Sequence, residues 1–241
     1  MRLDDPRLVR DEYADERGLS TRIALYGRAK RGGDARDAVF AAVAEANPQR
    51  VLEVGCGQGE LAERIQCELG ADVAAIDSSP RMVELTRRRG IDAELADAVA
   101  LPFADGLFDC AVAAWVLYHV RDLDRVVAEL HRVLRPGGRL VAATNGIRHL
   151  EEMWRLVGLD KPSAKTTFHG GNGSEILGRM FPSVETRKVE GHVVFGDRAA
   201  VVDYINASII YKHLAERVPP LNEPLRARAS ATIFVGHKAA S

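Results

Sequence analysis

The feature that most constrains the fold is a glycine-rich turn that follows a short apolar segment. Its residues are Val51-Leu52-Glu53-Val54-Gly55-Cys56-Gly57-Gln58-Gly59-Glu60. The apolar residues predict a buried strand, and a helical pattern begins at Glu60. A strand that turns into a helix through glycines places free backbone N–H groups at the carboxyl end of a sheet, where doubly wound α/β folds bind ligands. Glycine also leaves the backbone open to close approach by such a ligand.

The glycine spacing distinguishes two classes of ligand. A dinucleotide fingerprint, G-x-G-x-x-G, needs a glycine where this chain has Glu60. The spacing here is G-x-G-x-G, and Glu53 stands two residues before the first glycine. A carboxylate at that position would repel a pyrophosphate and attract the ammonium group of an amino acid. The turn therefore predicts a nucleoside with an amino-acid tail, and a glycine-rich turn without a ligand is the alternative.

Strand and helix patterns alternate after this turn, which predicts a parallel sheet with helices on both faces. Residues 1–31 predict one or two amphipathic helices outside the main core, ended by Gly32-Gly33. The predicted strands are Val51–Val54, Asp72–Ile76, Ile91–Leu95, Phe108–Val116, Arg139–Ala143, Val184–Val189, His192–Phe195 and Ala231–Lys238. The predicted helices are Ala35–Ala46, Glu60–Leu69, Arg81–Arg89, Asp122–Leu134, His149–Val157, Ser174–Met180 and Ala199–Arg217.

Composition narrows the choice of partners. The net charge is −1 and no long Lys/Arg block is present, so no nucleic-acid partner is expected. The cysteines Cys56, Cys67 and Cys110 are odd in number and lack C-x-x-C spacing, so neither a disulfide framework nor a metal site is expected. No signal peptide or membrane-spanning segment is apparent, which predicts a cytoplasmic protein without membrane attachment. A length of 241 residues suits a single domain.

An acidic residue ends the second predicted strand. Asp77 follows Asp72–Ile76 at the position from which a carboxylate hydrogen-bonds ribose hydroxyls in a doubly wound fold. Its alternative role is a solvated acid at the end of a strand. The next residues, Ser79-Pro80, provide a helix cap and a proline at the first helical position.

A second acidic residue, Asp97, follows the third predicted strand. Its carboxylate can accept a hydrogen bond from an exocyclic amine while the Ala98 N–H faces a ring nitrogen, a pairing that would bind an adenine edge. A turn-forming aspartate is the alternative. Ser78 and Met82 are expected to flank the ring, and core packing is the other role open to Met82.

At this point the chain resembles a known family, the class I S-adenosylmethionine-dependent methyltransferases, in the small-molecule branch that includes the quinone-biosynthesis type. The resemblance covers residues 50–146 densely and in order. It is carried by VLEVGCGQG (51–59), AIDSSPRMVE (75–84), ADAVALPFADGLFDCAVA (96–113), YHVRDLDRVVAELHRVLRPGG (118–138) and ATNG (143–146).

The resemblance implies a fold and a cofactor. The implied fold is a Rossmann-like doubly wound α/β sheet of seven strands, in the order 3-2-1-4-5-7-6 with the last strand antiparallel. Residues 1–33 would form an N-terminal helical lid, 34–146 the cofactor-binding core and 147–241 the substrate-side helices and closing strands. The implied cofactor is S-adenosylmethionine. Its binding residues would be Glu53 at the methionine amino group, the backbone of Gly55, Gly57 and Gly59, Asp77 at the ribose, and Asp97 with Ala98 at the adenine.

The acceptor side has weaker signals. His119, after the fourth strand, is the candidate for acid–base catalysis because its pKa class suits proton transfer near neutrality; a structural role is the alternative. Trp115 is a further cofactor-binding candidate. Tyr118, Asn145 and His149 are candidates for the substrate pocket, with solvent-facing or capping roles as alternatives for the last two. From the lid, Tyr13, Arg22 and Tyr26 are candidates for covering the site, with ordinary helix packing as the alternative.

The predicted function is methyl transfer from S-adenosylmethionine to the oxygen, nitrogen or carbon of a small molecule, in secondary or cofactor metabolism. One alternative is a methyltransferase that acts on RNA or protein. Another is a cofactor-binding regulator without turnover. The near-zero charge, and the absence of an Asn-Pro-Pro-Tyr type of amine motif after the fourth strand, disfavour the first alternative. The intact acids and glycines of the cofactor motifs disfavour the second.

Overall fold

The fold is built on one eight-stranded sheet. The computed structural model describes residues 3–160 and 165–240, without the side chains of Leu25, Tyr26 and residues 28–31. The strands are β1 (Lys30–Gly32), β2 (Arg50–Val54), β3 (Asp72–Asp77), β4 (Asp92–Leu95), β5 (Phe108–Ala114), β6 (Leu134–Asn145), β7 (Ser183–Phe195) and β8 (Leu225–His237).

The helices of the described part flank this sheet or cover its edges. They are α1 (Pro6–Glu12), α2 (Arg17–Ala29), α3 (Ala35–Ala44), α4 (Glu60–Leu69), α5 (Pro80–Arg88), α6 (Leu123–Val133), α7 (Glu151–Leu156), α8 (Gly173–Gly178) and α9 (Arg198–Asn206), with short 3-10 turns at Leu117–His119 and Lys212–Arg217. Among these helices, none combines the length and the apolar character that crossing a bilayer would require.

The strand order along the sheet is β1-β7-β8-β6-β5-β2-β3-β4. Strands β2 to β6 pair in parallel, whereas β8 runs antiparallel to both β6 and β7. Without the three-residue β1, the order is the predicted 3-2-1-4-5-7-6 with an antiparallel last strand, so the fold prediction is confirmed. Strand β1 pairs antiparallel with β7 and was missed, because its sequence ends in the glycines that predicted only a break.

Two core layers lie on opposite faces of the sheet, because successive side chains of a strand point to opposite sides. On β5, Cys110 and Val112 pack with α3 and α4, while Ala111 and Ala113 pack with the layer beneath α6. Burial on both faces explains the near-continuous apolar sequence of this strand. A third cluster joins α7, α9 and the parts of β7 and β8 that extend beyond the sheet's centre.

Several predicted boundaries were wrong. The predicted helix Ala199–Arg217 is α9, which ends at Asn206, followed by a separate 3-10 turn. The predicted strands Val184–Val189 and His192–Phe195 form one continuous strand, β7. Strand β8 begins at Leu225, six residues before the predicted start at Ala231. Strand β6 includes Pro136-Gly137-Gly138, which were predicted to lie outside it.

The predicted helix cap at Ser79 is confirmed, and Asp34 caps a second helix. Asp34 accepts from the Arg36 N–H at 2.8 Å at the start of α3, and Ser79 accepts from the Met82 N–H at 3.3 Å at the start of α5. Pro80 occupies the first turn of α5 as predicted. These caps fix where the chain leaves the carboxyl edge of the sheet, and so they fix the rim of the site.

Candidate functional site

A cavity of about 1130 Å³ lies along the carboxyl edge of the parallel strands, beneath α1 and α2. Most of the predicted site residues line it, namely Glu53, Gly55, Gly57, Asp77, Ser78, Asp97, Ala98, Trp115, Tyr118, His119, Asn145 and His149. Parallel strands end at the same edge, so residues distant in sequence meet there. A smaller side pocket of about 130 Å³ adjoins the cavity and shares Tyr118, His119, Asn145 and His149 with it.

The glycine turn is shaped by its neighbours. The N–H groups of Gly55 and Cys56 donate to the carbonyl of Ile76, at 2.8 and 3.1 Å, which ties the turn to β3. Gly55 has φ +72, and a Cβ there would lie 2.5 Å from a methyl carbon of Val116. Gly57 has φ +56, and a Cβ there would meet only Leu19 of the lid, at 3.5 Å. Gly55 is therefore required for packing, while Gly57 leaves open space toward the cavity.

Glu53 is a buried carboxylate at the cavity wall. Its exposed fraction is 4%, and its Oε2 atom has no hydrogen-bond partner within the protein. Burial raises the pKa of Glu53 to about 8, the Ala62 N–H opposes that rise, and the nearby Asp77 adds to it. An unpartnered carboxylate oxygen facing a cavity suits a ligand that brings a positive charge.

Asp77 holds the turn and the next helix together. Its Oδ2 accepts from the Gly57 N–H at 3.0 Å and its Oδ1 accepts from the Ser79 N–H at 2.9 Å. Burial raises the pKa of Asp77, and these N–H donors act in the opposite direction. The side chain lines the cavity while organising its floor, so both the ribose role predicted for it and a structural role are open to it.

At the end of β4, Asp97 and Ala98 line the cavity close to Ser78 and Val99. Asp97 is exposed, and its Oδ1 accepts from the Val99 N–H at 3.1 Å. This bond gives Asp97 the turn-forming role that the sequence left as an alternative. Its other carboxylate oxygen has no bond in this turn, so the predicted contact with an exocyclic amine stays a prediction.

Two predicted residues do not line the cavity. Met82 is fully buried, because it lies on the face of α5 that packs on the sheet. Its side chain therefore has the core role that the sequence left as an alternative. At Gly59, which has φ +76, a Cβ would lie 2.8 Å from Thr86 Oγ1, so this glycine allows α4 and α5 to approach each other. Tyr26 has its side chain outside the described part of the structure.

Trp115, the further cofactor-binding candidate, follows β5 with φ +56, an uncommon conformation for a bulky residue. Its indole N–H donates to Asn145 Oδ1 at 3.2 Å. The Asn145 carbonyl oxygen therefore accepts from the indole, and the Asn145 NH₂ group remains as a donor beside the cavity. Strained backbone at a cavity wall is typical of functional sites.

Beside Asn145, the buried His149 joins the end of β6 to β8. The Ser230 N–H donates to His149 Nδ1 at 3.2 Å, so a neutral His149 carries its proton on Nε2. The hydroxyl of Ser230 lines the cavity, is buried and has no partner within the protein. Ser230 was missed from sequence. The alternation of Arg226, Ala227, Arg228, Ala229 and Ser230 was the signal that would have placed it on a strand.

The lid is fixed over the cavity by polar contacts. Ser79 Oγ donates to the Tyr13 carbonyl at 2.7 Å, and Gln58 Nε2 donates to Ser20 Oγ at 2.7 Å. Arg22 pairs with the buried Glu12, whose Oε2 accepts from the Ile209 N–H at 2.7 Å. The lid therefore contacts the glycine turn, α5 and the segment after α9. Tyr13 and Arg22 line the cavity, as the sequence allowed.

The described residues contain no cluster of side chains suited to bind a metal ion. In residues 3–160 and 165–240, no three His, Cys, Asp or Glu side chains are grouped to hold an ion. Cys56 and Cys110 are buried free thiols, and burial raises the pKa of each. A thiol kept protonated is a poor nucleophile. The polar side chains that line the cavity therefore carry carboxylate, amide, hydroxyl, imidazole and guanidinium groups.

Known proteins share both sequence and fold with this chain. A methyltransferase-domain family matches residues 52–142. The demethylmenaquinone methyltransferase of Thermus thermophilus is 38% identical over 137 residues, which are 54% of this chain and 61% of that protein. The demethylmenaquinone methyltransferase of Thermobifida fusca is 34% identical over 164 residues, 64% of this chain and 68% of that protein. The match to the Thermus protein thus spans less than two thirds of its length.

Solved structures extend the likeness over nearly the whole fold. The [4+2]-cyclase SpnF superimposes with a TM-score of 0.64 at 20% identity, over 97% of this chain and 96% of that one. The N-methyltransferase NodS of Bradyrhizobium japonicum, solved with S-adenosyl-L-homocysteine, gives a TM-score of 0.55 at 16% identity, over 84% and 85% of the two chains. At these identities the likeness establishes the fold alone.

Proposed function

Because the chain belongs to the class I S-adenosylmethionine-dependent methyltransferases, we propose that it binds S-adenosylmethionine in the cavity and methylates a small molecule. The observation that carries this proposal is Glu53, a buried carboxylate with an unpartnered oxygen at the cavity wall. The methionine part of the cofactor offers the ammonium group that such an oxygen lacks. A dinucleotide would bring a pyrophosphate to the same wall, next to two carboxylates.

The residues that would hold the cofactor follow the wall in order. Glu53 would accept from the amino group, Gly57 would allow close approach to the backbone, and Asp77 would accept from the ribose hydroxyls. Ser78, Asp97 and Ala98 would contact the adenine. The bound cofactor supplies a methyl group on a positively charged sulfur, so the protein's tasks are alignment, exclusion of water and removal of a proton where the acceptor carries one.

The acceptor would lie between Trp115, Asn145, His149 and Ser230, opposite the Glu53 wall. Among the side chains that line this end, the Ser230 hydroxyl is buried without a partner, and an acceptor oxygen or nitrogen would complete its hydrogen bonding. A small-molecule acceptor fits a cavity of this volume beneath the lid. The similarity to demethylmenaquinone methyltransferases also favours a small molecule over RNA or protein.

Isothermal titration calorimetry tests the cofactor directly. We expect S-adenosylmethionine and S-adenosylhomocysteine to bind with one site per chain, and NAD not to bind. Binding of NAD without either sulfur nucleoside would refute the proposal. Transfer is then tested with methyl-labelled S-adenosylmethionine and a low-molecular-weight extract of the source organism, where label in a small compound is expected. Tight cofactor binding without any transfer would favour a cofactor-binding regulator.

A further inference from the structure

His119 is held by the lid through both nitrogens of its ring. Nδ1 lies 2.9 Å from the carbonyl oxygen of Leu3, and Nε2 lies 2.9 Å from the hydroxyl of Tyr13. A carbonyl can only accept, so Nδ1 carries the proton of the neutral ring. Nε2 therefore presents its lone pair to the Tyr13 O–H, which donates to it.

Tyr13 lines the cavity beside His119 and is hydrogen-bonded to it. Its ring meets the imidazole edge-on, with centroids 5.4 Å apart, and its side chain lines both the cavity and the side pocket. Ser79 binds the Tyr13 carbonyl, and the adjacent Glu12 is bound by Arg22 and the Ile209 N–H. The phenol is thus held at the end of α1 by contacts on both sides.

Near neutrality, the protonation states of Tyr13 and His119 are those from which a proton can move from the phenol to the imidazole. Burial lowers the pKa of His119, and burial raises the pKa of Tyr13 to about 12, so near neutrality the imidazole is the free base and the phenol keeps its proton. The charged groups that act on the imidazole are Glu12 of α1, which favours a proton on it, and Arg22 of α2, which opposes one. The neighbouring ring of Tyr118 stays protonated, because burial raises its pKa.

The second histidine of the cavity is arranged differently. His149 uses its Nδ1 lone pair to accept from the Ser230 N–H, so in its neutral form the remaining nitrogen carries a proton and donates. Asn145 has its carbonyl oxygen bound by Trp115. Of these three polar side chains, His119 is the one whose ring lone pair accepts from a hydroxyl that lines the cavity.

We propose that Tyr13 and His119 form a proton relay that is assembled when the lid closes. This proposal rests on the proposed function. The acceptor's O–H or N–H would donate to Tyr13 Oη, and as that proton moves to Oη, the phenol's own proton moves to His119 Nε2. The acceptor's lone pair forms the new bond to the methyl carbon, and the electrons of the broken carbon–sulfur bond remain on sulfur. The positive charge lost from sulfur reappears on the imidazolium, which releases its proton to water when the lid opens.

The test compares Tyr13→Phe, His119→Asn and the double variant with a lid control, Ser20→Ala. Ser20 lies outside the cavity lining, and its loss removes the lid contact to Gln58 without touching the phenol. Methyl transfer to the extract is followed as a function of pH, and binding of S-adenosylhomocysteine is measured for each variant. A second readout, independent of turnover, is the ¹⁵N NMR spectrum of the His119 imidazole in the wild type and in Tyr13→Phe.

We expect each single variant to lower kcat about 100-fold, within the usual range for general acid–base catalysis. The double variant should lose no more than either single one, because one relay is broken in all three. The wild-type rate should level off above the His119 pKa, while Tyr13→Phe should rise steadily with pH. Ser20→Ala should keep the wild-type profile, and S-adenosylhomocysteine affinity should change less than threefold throughout. The NMR spectrum should show the proton on Nδ1, and Tyr13→Phe should shift the Nε2 resonance.

Equal rates and pH profiles for wild type and Tyr13→Phe would overturn the relay, as would a spectrum with the proton on Nε2. Additive losses in the double variant would overturn it too, since they would show two independent roles. If the wild type binds S-adenosylhomocysteine and methylates nothing, the proposed methyl transfer fails instead. In that case the tautomer seen by NMR still decides whether the pair is arranged as described.

Discussion

The two halves of the cavity are built by contacts of very different range in sequence. On the cofactor side, Asp77 binds the N–H of Gly57, 20 residues away, and Thr86 binds the Gly57 carbonyl, 29 residues away. On the lid and acceptor side, Tyr13 reaches His119 across 106 residues and Glu12 reaches Ile209 across 197. The cofactor side is therefore encoded in local motifs, whereas the acceptor side exists only once the whole chain has folded.

The largest effect on global stability is expected at the glycine turn, where substitutions of Gly55 and Gly57 should differ in cost. Gly55→Ala should lower the free energy of unfolding by about 2–5 kcal/mol, from the positive φ and the clash with Val116. Gly57→Ala should lower it by only about 1–2 kcal/mol, because its Cβ would make only an ordinary van der Waals contact with Leu19. Urea unfolding measures both changes. Titration should show that Gly57→Ala, if folded, binds S-adenosylhomocysteine at least about tenfold more weakly. Equal destabilisation by the two variants would contradict this account of the turn.

A second effect should appear in the lid alone and not in the global unfolding of the protein. Arg22→Met leaves the buried Glu12 without its cation, which in buried pairs costs about 3–5 kcal/mol. Because the pair joins α1 to α2, we expect the loss to appear as about 100- to 1,000-fold faster amide hydrogen exchange in these helices, with little change in the β-sheet. Arg17→Met is the matched control, since its pair with Asp15 is exposed and should contribute almost nothing. Equal exchange in the two variants would show that the buried pair does not hold the lid.

The smallest effect on stability is expected at Ser230. Its buried hydroxyl has no partner within the protein, so Ser230→Ala should change the free energy of unfolding by less than about 0.5 kcal/mol, or raise it. Methyl transfer to the natural acceptor should nevertheless fall, with KM rising about tenfold if the hydroxyl binds the acceptor before reaction. An unchanged KM, with stability equally unchanged, would show that Ser230 does not contact the acceptor.

The difference in contact range also explains what the sequence could predict. The turn and Asp77 were predictable because their motifs are local, and the parallel sheet because strand and helix patterns alternate. The strand order came from the resemblance to the methyltransferase family. Ser230 was missed because the segment before it alternates arginine with the small residue alanine, which is a weaker strand signal than bulky apolar residues. Met82 was assigned to the adenine from its nearness in sequence, yet the Ser79 cap sets the helical phase that turns it into the core. The single-domain organisation and the cytoplasmic location stay predictions.

The central claim is that Glu53 receives the positively charged amino group of the cofactor, and the pH dependence of affinity tests it most directly. With its pKa raised to about 8, Glu53 is protonated in the free protein below that pH, so binding an ammonium group must release a proton. Calorimetric titration with S-adenosylhomocysteine should therefore give a Kd that falls by up to about tenfold per pH unit between pH 5.5 and 7.5. In Glu53→Gln the slope of log Kd against pH should be smaller by close to one, because one proton fewer is released on binding. Identical pH dependence in the two proteins, or no binding by the wild type, would contradict the claim.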